Sequence, residues 1–256
     1  MGPPSITQRE GDVLDLRLGE RLVASYHHGP ELPRPYLAPL LDADGRPVTA
    51  EPGPSDHPHH RGVWSGHRDV GGVDHWTEFA GHGRIVHRAL ELDGAAVTEQ
   101  LEWLDGTGRA ALREQRVMRL HPGPALDLTI ALTAPEALIL GANKDASLAA
   151  VRVAPSMTTI VNAEGERGEQ AAWGRRAAWC DFSDSTHGLA VLDHPANPRH
   201  PTPWHVRAYG LMAANPFLQE PLPLAAGETV TFRYRLIVHD GRGRLAERHR
   251  EFSREP

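Results

Sequence analysis

Short runs in which apolar and polar residues alternate recur along the chain and end at turn-forming residues. Every second residue is apolar in residues 230–238 and again in residues 126–132. Successive side chains of an extended strand point to opposite faces, so this period of two is typical of strands with one buried face. Asp93-Gly94 separates the run 85–92 from the run 96–104, which indicates a tight hairpin. The pattern favours an antiparallel all-β fold.

Similar runs predict more than ten short strands in all. They cover residues 13–18 and 21–27 as an opening hairpin, then residues 109–120, 148–153, 187–193 and 229–240. Helix is an alternative for residues 109–120, whose alternation is irregular, and residues 244–252 are predicted to form a short C-terminal helix. Neither a fixed-period repeat nor a long linker divides the chain. We therefore predict a single-domain antiparallel β-sandwich over residues 1–256.

Charge and composition exclude several classes of function. The net charge of −6 and the absence of a basic run argue against nucleic-acid binding. Cys180 is the only cysteine, which excludes an internal disulfide framework and a cysteine-based zinc site. The N-terminus lacks the apolar core of a signal peptide, and nothing approaches an apolar stretch of about 20 residues. We expect a cytoplasmic protein without a membrane partner, and homo-oligomers are compatible with the sequence.

Residues 54–87 combine histidines with carboxylates, arginines and tryptophans. Proline and glycine interrupt regular structure in this stretch, so it is predicted to be loop and short strand, where sites are often carried. Imidazole exchanges protons near neutral pH, which makes the cluster a candidate acid/base or metal site. The alternative is a solvated, histidine-rich loop. The histidines concerned are His57, His59, His60, His67, His75, His82 and His87.

Two other segments carry candidate chemistry. Lys144 is the only lysine among 27 basic residues, and lysine, unlike arginine, can lose its proton. It stands next to Asp145, so a simple surface ion pair is the alternative. A proline-rich segment, residues 194–203, leads into Trp204 and His205, and Asn215 follows. Flat tryptophan faces suit sugar rings, although most buried tryptophans belong to the core.

The histidine-rich stretch has two competing interpretations, a metal site and metal-free acid/base chemistry. His57 and His59 are two residues apart, so an extended backbone would point both to one side. A His-x-His pair is a weak signal without a carboxylate at an established ligand spacing. We therefore predict no cofactor and no required metal, with a divalent metal at His57 and His59 as the alternative. Phosphate-binding glycine loops and a G-x-S-x-G nucleophile motif are absent from the sequence.

Several motifs, among them Arg34-Pro35-Tyr36-Leu37 and D-H-P-H-H-R-G from Asp56 to Gly62, resemble those of the bacterial PmoA-like family. That resemblance implies a β-sandwich associated with sugar catabolism alongside sugar oxidoreductases, although this chain has His75 where the family often has phenylalanine. The resemblance does not imply that this chain is the methane oxygenase subunit itself, which is a membrane protein. A weaker analogy is to mutarotase-type supersandwiches, in which arginine, histidine and a carboxylate surround a pyranose. The motifs are Arg34-Pro35-Tyr36-Leu37, D-H-P-H-H-R-G from Asp56 to Gly62, residues 67–76, residues 144–152 and residues 204–217.

These features lead to a functional prediction of general acid/base chemistry on a sugar or oxidised sugar, namely cleavage, hydration or epimerisation. His59 and His60 are the predicted acid/base pair, with His57 and His205 as alternatives, and Lys144 would stabilise a developing oxyanion. A non-catalytic carbohydrate-binding protein and a metal-dependent enzyme are the competing hypotheses. The predicted substrate contacts are Arg34, His57, Arg61, His67, Asp74, Trp76, Asp145, Arg152, Trp204 and Asn215.

The last prediction concerns distant segments that should meet. Three segments each have a backbone rigidified by proline or glycine and a proton-transferring side chain: the D-H-P-H-H-R-G loop, the segment around Lys144 and the Trp204-His205 turn. We expect His59 or His60, Lys144 and His205 to point into one pocket, with Arg34 and Trp76 on its wall.

Overall fold

A computed structural model describes residues 2–123, 125–241 and 244–255. Two eight-stranded antiparallel sheets face each other. The first sheet has the strand order β1-β2-β3-β4-β5-β11-β16-β15. Its strands are β1 (Pro4–Arg9), β2 (Val13–Leu18), β3 (Arg21–His27), β4 (Tyr36–Leu40), β5 (Val63–His67), β11 (Ala146–Arg152), β15 (Trp204–Arg207) and β16 (Leu211–Ala214).

The second sheet has the order β12-β13-β14-β18-β9-β8-β7-β6. Its strands are β6 (Arg84–Asp93), β7 (Ala96–Leu104), β8 (Ala110–Leu120), β9 (Ala125–Thr133), β12 (Thr159–Asn162), β13 (Trp179–Ser183), β14 (Gly188–Asp193) and β18 (Thr229–His239). A separate small pair joins β10 (Leu138–Leu140) to β17 (Leu222–Leu224), and the two helices of the described ranges are α1 (Gly168–Ala172) and α2 (Leu245–Phe252).

The predicted all-β sandwich is confirmed. Residues 109–120, for which helix was the alternative, form β8, because β7 and β9 flank them and pair along nearly their whole length. The C-terminal helix is confirmed as α2. Strands of only three or four residues, such as β12 and β16, were not predicted, because so short a run cannot display an alternation.

The core lies between the two sheets, where alternate residues of each strand meet. In β9, Leu126, Leu128, Ile130 and Leu132 are buried while the intervening residues are partly exposed. Each such leucine or isoleucine stabilises the fold by roughly 1.5–3 kcal/mol relative to leaving it in water. The predicted half-buried alternation is therefore the alternation that the core uses.

The outer faces of the two sheets are covered differently. Helix α2 packs on the second sheet, where Phe252 contacts Leu192 and Ile237, so β18 is buried on both faces over its last residues. On the first sheet, loops carrying aromatic and charged side chains cover the outer face, with Trp76 packed against Trp64 of β5. Among the described residues, neither helix has the length and apolar composition that a membrane span requires.

Candidate active site on the outer face of the first sheet

An aromatic floor occupies the outer face of β4 and β5. Tyr36 and Trp64 point outward from paired positions of these strands, and Trp76 packs on Trp64 with ring centroids 5.6 Å apart. The strand period explains the arrangement, because Val63 and Ser65 on either side of Trp64 face the core. We call this surface, together with the side chains around it, the outer-face site.

Three histidines of the D-H-P-H-H-R-G loop lie over this floor. His60 stacks on Trp64 with ring centroids 4.9 Å apart, and His57 stacks on His60 at 4.6 Å. Tyr209, from the turn between β15 and β16, also stacks on His57 at 4.6 Å, and its ring centroid is 6.2 Å from that of His60. A backbone hydrogen bond of 2.9 Å from His60 to His57 closes the loop around Pro58, which leaves His59 half-exposed at the tip.

His60 is held as a neutral, buried ring. Burial lowers its pKa to about 2, and the neighbouring His59, His57 and Arg152 add to this effect. One nitrogen of Arg152 lies 3.3 Å from Nδ1 of His60, and the other donates to the Asp56 carboxylate at 2.7 Å. Arg152 and Asp56 thus fix the ring, and His60 resists gaining a proton at neutral pH.

Arg34 lies beside the aromatic floor, with donors that no described residue engages. It is 1% exposed, and its Nη2 donates to the Trp76 carbonyl at 2.7 Å. Its Nε and Nη1 have no hydrogen-bond partner among the described residues, and the Glu78 carboxylate is 3.6 Å from Nε. Burial lowers its pKa to about 10, so it stays a cation at neutral pH. Buried donors of this kind are costly unless an acceptor reaches them.

Glu78 pairs with both cations at this end of the site. Arg61 donates to it twice, at 2.9 and 2.7 Å, and also lies 5.7 Å from the centre of the Tyr36 ring. Arg34 is on the other side of the same carboxylate. A bidentate pair of this type is rigid as well as strong, so Glu78 positions both cations.

At the other end, Asp145 is shared by several partners. Lys144 donates to one of its oxygens at 3.0 Å, and Arg68 donates to the other at 3.0 Å. Burial would raise the pKa of Asp145, but the hydrogen bonds from these cations hold it below its ordinary value. The resulting negative charge raises the pKa of both His59 and His205 against the stronger effect of burial. The same carboxylate therefore acts on the pKa of both histidines.

His59 and His205 have similar properties although they come from distant segments. Burial lowers the pKa of each to about 4. The Arg34 charge lowers the pKa of His59 further, while Arg207 does the same to His205. His205 points outward from β15, is 2% exposed, and has no hydrogen-bond partner on Nδ1 among the described residues. Both rings are therefore neutral at pH 7, the form that can accept a proton.

The structure brings most of the predicted site residues to one side of the first sheet. Arg34 and Trp76 lie at one end with His59, and the Lys144–Asp145 pair lies near His205 at the other. The Lys144 side chain is 55% exposed, so it borders the site. The chemical roles assigned to these residues stay predictions.

The structure places four predicted substrate contacts in the core or against backbone groups, and their assigned roles stay predictions. His67 faces the core against Phe217, because it is three residues from the outward-facing Trp64 on β5. Trp204 is fully buried in the core, where its Nε1 donates to the Ala177 carbonyl. The other two residues hold backbone: Asp74 accepts from the amides of residues 76 and 77, and Asn215 donates to the carbonyls of residues 143 and 144.

Sequence reasoning missed four residues of the site. Trp64 and Glu78 belong to the histidine-rich stretch, but no role in the site was predicted for them. Trp64 lies on the same face of β5 as Gly66. Asp56 belongs to the D-H-P-H-H-R-G motif. Tyr209 lies in the turn between β15 and β16. For Tyr209 no sequence signal exists, because its position depends on the pairing of β15 with β16.

The alternative metal site at His57 and His59 gains no further ligand in the described ranges. His57 Nδ1 lies 3.0 Å from the Asp56 carboxylate, and the two rings are 5.9 Å apart. Neither histidine belongs to a group of three converging metal-ligand side chains among those residues. Metal binding there stays an untested alternative.

Residues 13–252 match a family described as "Family of unknown function (DUF6807)". The chain belongs to the DUF6807 family. The predicted membership of the PmoA-like family is therefore wrong. Short motifs such as D-H-P-H-H-R-G suggested it, whereas the DUF6807 match extends over nearly the whole chain. The match to DUF6807 assigns no activity, and no curated protein matches the chain.

Solved structures similar to this DUF6807 protein share little sequence with it. A GH36 alpha-galactosidase from Geobacillus stearothermophilus is 14% identical over 92% of the chain, with a TM-score of 0.49, and the chain spans 41% of its length. A putative aldose 1-epimerase from Escherichia coli K12 is 10% identical over 93% of the chain and 99% of its own, with a TM-score of 0.42. A galactose 1-epimerase from Lactobacillus acidophilus NCFM is 11% identical over 92% and 97%, with a TM-score of 0.44.

Proposed function

We propose that the outer-face site binds a neutral sugar or oxidised sugar and transfers protons to and from it. The observation that carries this proposal is Arg34, a buried cation whose Nε and Nη1 lack partners beside the Trp64–Trp76 floor. A ligand oxygen would satisfy these donors, and a ring face would cover the tryptophans. Carboxylates already pair with Arg61, Arg152 and Lys144, so Arg34 keeps donors for the ligand, and a hydroxyl or carbonyl oxygen of a neutral sugar can accept from them.

His59 is the proposed proton-transferring group. Its pKa of about 4 leaves it neutral at pH 7, and its half-exposed position allows contact with a ligand. His60, predicted from sequence as its acid/base partner, has its Nδ1 engaged by Arg152, whereas Nδ1 of His205 has no partner among the described residues, so we assign His60 a positioning role. His205 is the alternative partner, with a pKa of about 4 as well.

The proposed chemistry starts from a sugar that carries a carbonyl. Neutral His59 takes a proton from the carbon next to the carbonyl, and the electrons of that C–H bond form an enolate. Arg34 or Lys144 stabilises the oxygen charge of the enolate. Delivery of a proton from solvent to the opposite face gives an epimer, after which His59 releases its proton to solvent; loss of a substituent from the next carbon, with the proton taken by His59, gives eliminative cleavage. Both outcomes use the same first step.

Hydrogen exchange in D₂O tests this first step. Each member of a panel of aldoses, keto-sugars and keto-glycosides is incubated with the protein, and proton NMR follows deuterium entry next to the carbonyl. We expect exchange with the parent protein, its loss in His59→Gln, and its retention in His82→Gln, a control from the same stretch of chain. We also expect Lys144→Arg to retain binding and to slow exchange.

Calorimetric titration of the same panel separates catalysis from binding. Binding without exchange by the parent would replace the proposal with a non-catalytic sugar-binding protein. Absence of binding by every neutral sugar, with Arg34→Met unchanged in all assays, would overturn the sugar proposal itself.

A further inference from the structure

A second histidine cluster lies between the sheets, apart from the outer-face site. His28 follows β3, His87 is on β6, and Glu99 is on β7. One ring nitrogen of each histidine and one Glu99 oxygen all lie within 4.8 Å of one another. His87 Nδ1 is 2.7 Å from the carboxylate, and the two imidazole rings are 4.6 Å apart. Strand alternation separates this cluster from its neighbour His27, which stacks on Tyr36 of the outer face.

Burial leaves His28 with unused nitrogens inside this cluster. The residue is 4% exposed, and neither ring nitrogen has a hydrogen-bond partner among the described residues. Glu99 is 0% exposed, whereas the side chain of His87 is 21% exposed. A buried imidazole with two unsatisfied nitrogens costs stability unless a proton, a hydrogen bond or a metal engages one of them. Access for an ion exists on the side of His87.

We propose that His28, His87 and Glu99 bind one divalent first-row transition ion, with zinc as the reference metal. Two imidazoles and one carboxylate are ligands that zinc accepts, and three protein ligands leave one position for water. The side chain of His87 reaches solvent, so this open position is accessible. The ligands come from the segment after β3 in the first sheet and from β6 and β7 in the second, so the ion would cross-link the sandwich at its rim.

Hydrogen bonds behind the cluster orient the carboxylate. The second oxygen of Glu99 accepts a hydrogen bond from the Tyr26 hydroxyl, which in turn accepts from Arg116 Nη1 at 2.8 Å. Arg116 also pairs with the buried Glu114 at 2.7 Å. Two buried carboxylates therefore face one guanidinium, which leaves a net negative charge that attracts a cation to Glu99. Fixed outer partners of this kind hold metal ligands in place.

A comparable cluster elsewhere already contains a cation. His121, Asp127 and Glu255 also converge within 4.8 Å. The Arg235 guanidinium occupies that position, with donors 2.8 Å from Asp127, 2.7 Å from Glu255 and 3.2 Å from His121 Nε2. Among the described residues, Glu99 forms an ion pair with His87. The His28 cluster thus has the ligands of a cation site without a guanidinium in it.

Metal loading of tag-free protein tests the proposal. After removal of metals with a chelator, the protein is titrated with Zn²⁺ against a competing chromophoric chelator, and bound zinc is counted by mass spectrometry. We expect one zinc per chain in the parent, an increase in Tm on loading, and affinity reduced more than about 100-fold in His28→Gln and Glu99→Gln. His121→Gln is the matched control and should bind zinc like the parent.

Two measurements keep the result decisive. If His28→Gln does not fold, X-ray absorption of the zinc-loaded parent should show two imidazole ligands and an oxygen. Zinc that is lost in His57→Gln but kept in His28→Gln would overturn the proposal and place the ion in the outer-face site. Absence of binding at micromolar free zinc would leave the His87–Glu99 pair as a simple buried ion pair and would also overturn it.

Discussion

Arg34 and Gly66 are in direct contact on the outer face of β5. A Cβ atom at residue 66 would lie 2.7 Å from Nη1 of Arg34, 2.8 Å from the His75 carbonyl and 3.4 Å from the Trp76 ring. Glycine at this position therefore allows the guanidinium to lie against the strand. Because residue 66 has no side chain, Arg34 can lie at this position with its donors available to a ligand.

Gly66→Ala is expected to displace Arg34 from the outer-face site. The added methyl group must move the guanidinium or the Trp76 loop, because the strand backbone cannot retreat. We expect ligand affinity to fall at least about 10-fold and the free energy of unfolding to fall by about 1–3 kcal/mol. Calorimetric titration and chemical denaturation measure the two effects. Gly29→Ala is the control, since its Cβ would meet only the Asp12 side chain, at 3.2 Å; equal loss in both variants would contradict the explanation.

The pH profile of exchange should report His59. Its pKa lies at about 4 in the folded protein, so the neutral base is fully present at pH 7 and disappears as pH falls through 4. We expect kcat/KM for deuterium exchange to be level from about pH 6 to 7 and to fall about tenfold per pH unit well below 4. A profile that falls below pH 6.5 would identify an unperturbed histidine instead.

Stability should fall with acid because of the buried core-facing His67. Burial lowers its pKa to about 3 from an ordinary 6.5, so only the unfolded chain binds this proton between those values. The contribution of His67 is complete above pH 6.5 and is lost progressively as pH falls toward 3, at about 1.4 kcal/mol per pH unit. Urea denaturation at pH 7.5, 6 and 5 measures it.

A variant isolates the His67 contribution. His67→Asn should be less stable than the parent at pH 7.5 and should lose less stability between pH 6 and 5. Gln219→Ala, an exposed substitution that removes no titratable group, is the control and should retain the parental slope. Parallel curves for all three proteins would show that other histidines carry the acid sensitivity.

Asn215→Ala should weaken activity from a distance. The Asn215 amide holds the carbonyls of Asn143 and Lys144 at 2.9 and 3.0 Å, and these residues position Asp145. We expect a loss of about 1–3 kcal/mol in the free energy of unfolding and a lower kcat for exchange. Thermal denaturation and the exchange assay measure both, with the exposed Gln219→Ala as control. Full retention of kcat would show that the Lys144 segment is held by other contacts.

Alternation along the chain was sufficient to predict the sandwich, because a strand with one buried face shows its period in the sequence. The same period would have excluded His67, since it lies on the opposite face of β5 from Trp64. The histidine-rich stretch was predicted to be a site from its composition, and this stays a prediction. Its neighbours Tyr209 and Arg152 join it only through the pairing of β5, β11 and β16.

Contacts between sheets were beyond the sequence. His28, His87 and Glu99 have no spacing that suggests metal binding, and they converge because β3 faces β6 and β7 across the sandwich rim. Residue type alone likewise could not distinguish the core position of Trp204 from the outward position of Trp64.

The position of α2 determines how the protein can be attached to a surface. The helix covers the second sheet, on the side of the sandwich opposite the outer-face site. Cys180, the only native cysteine, is fully buried, and burial raises the pKa of its thiol, so it reacts poorly with maleimides. A cysteine introduced at the exposed Ala246 would then be the reactive thiol, and a sensor chip or fluorophore coupled there would leave the outer-face site open to ligand.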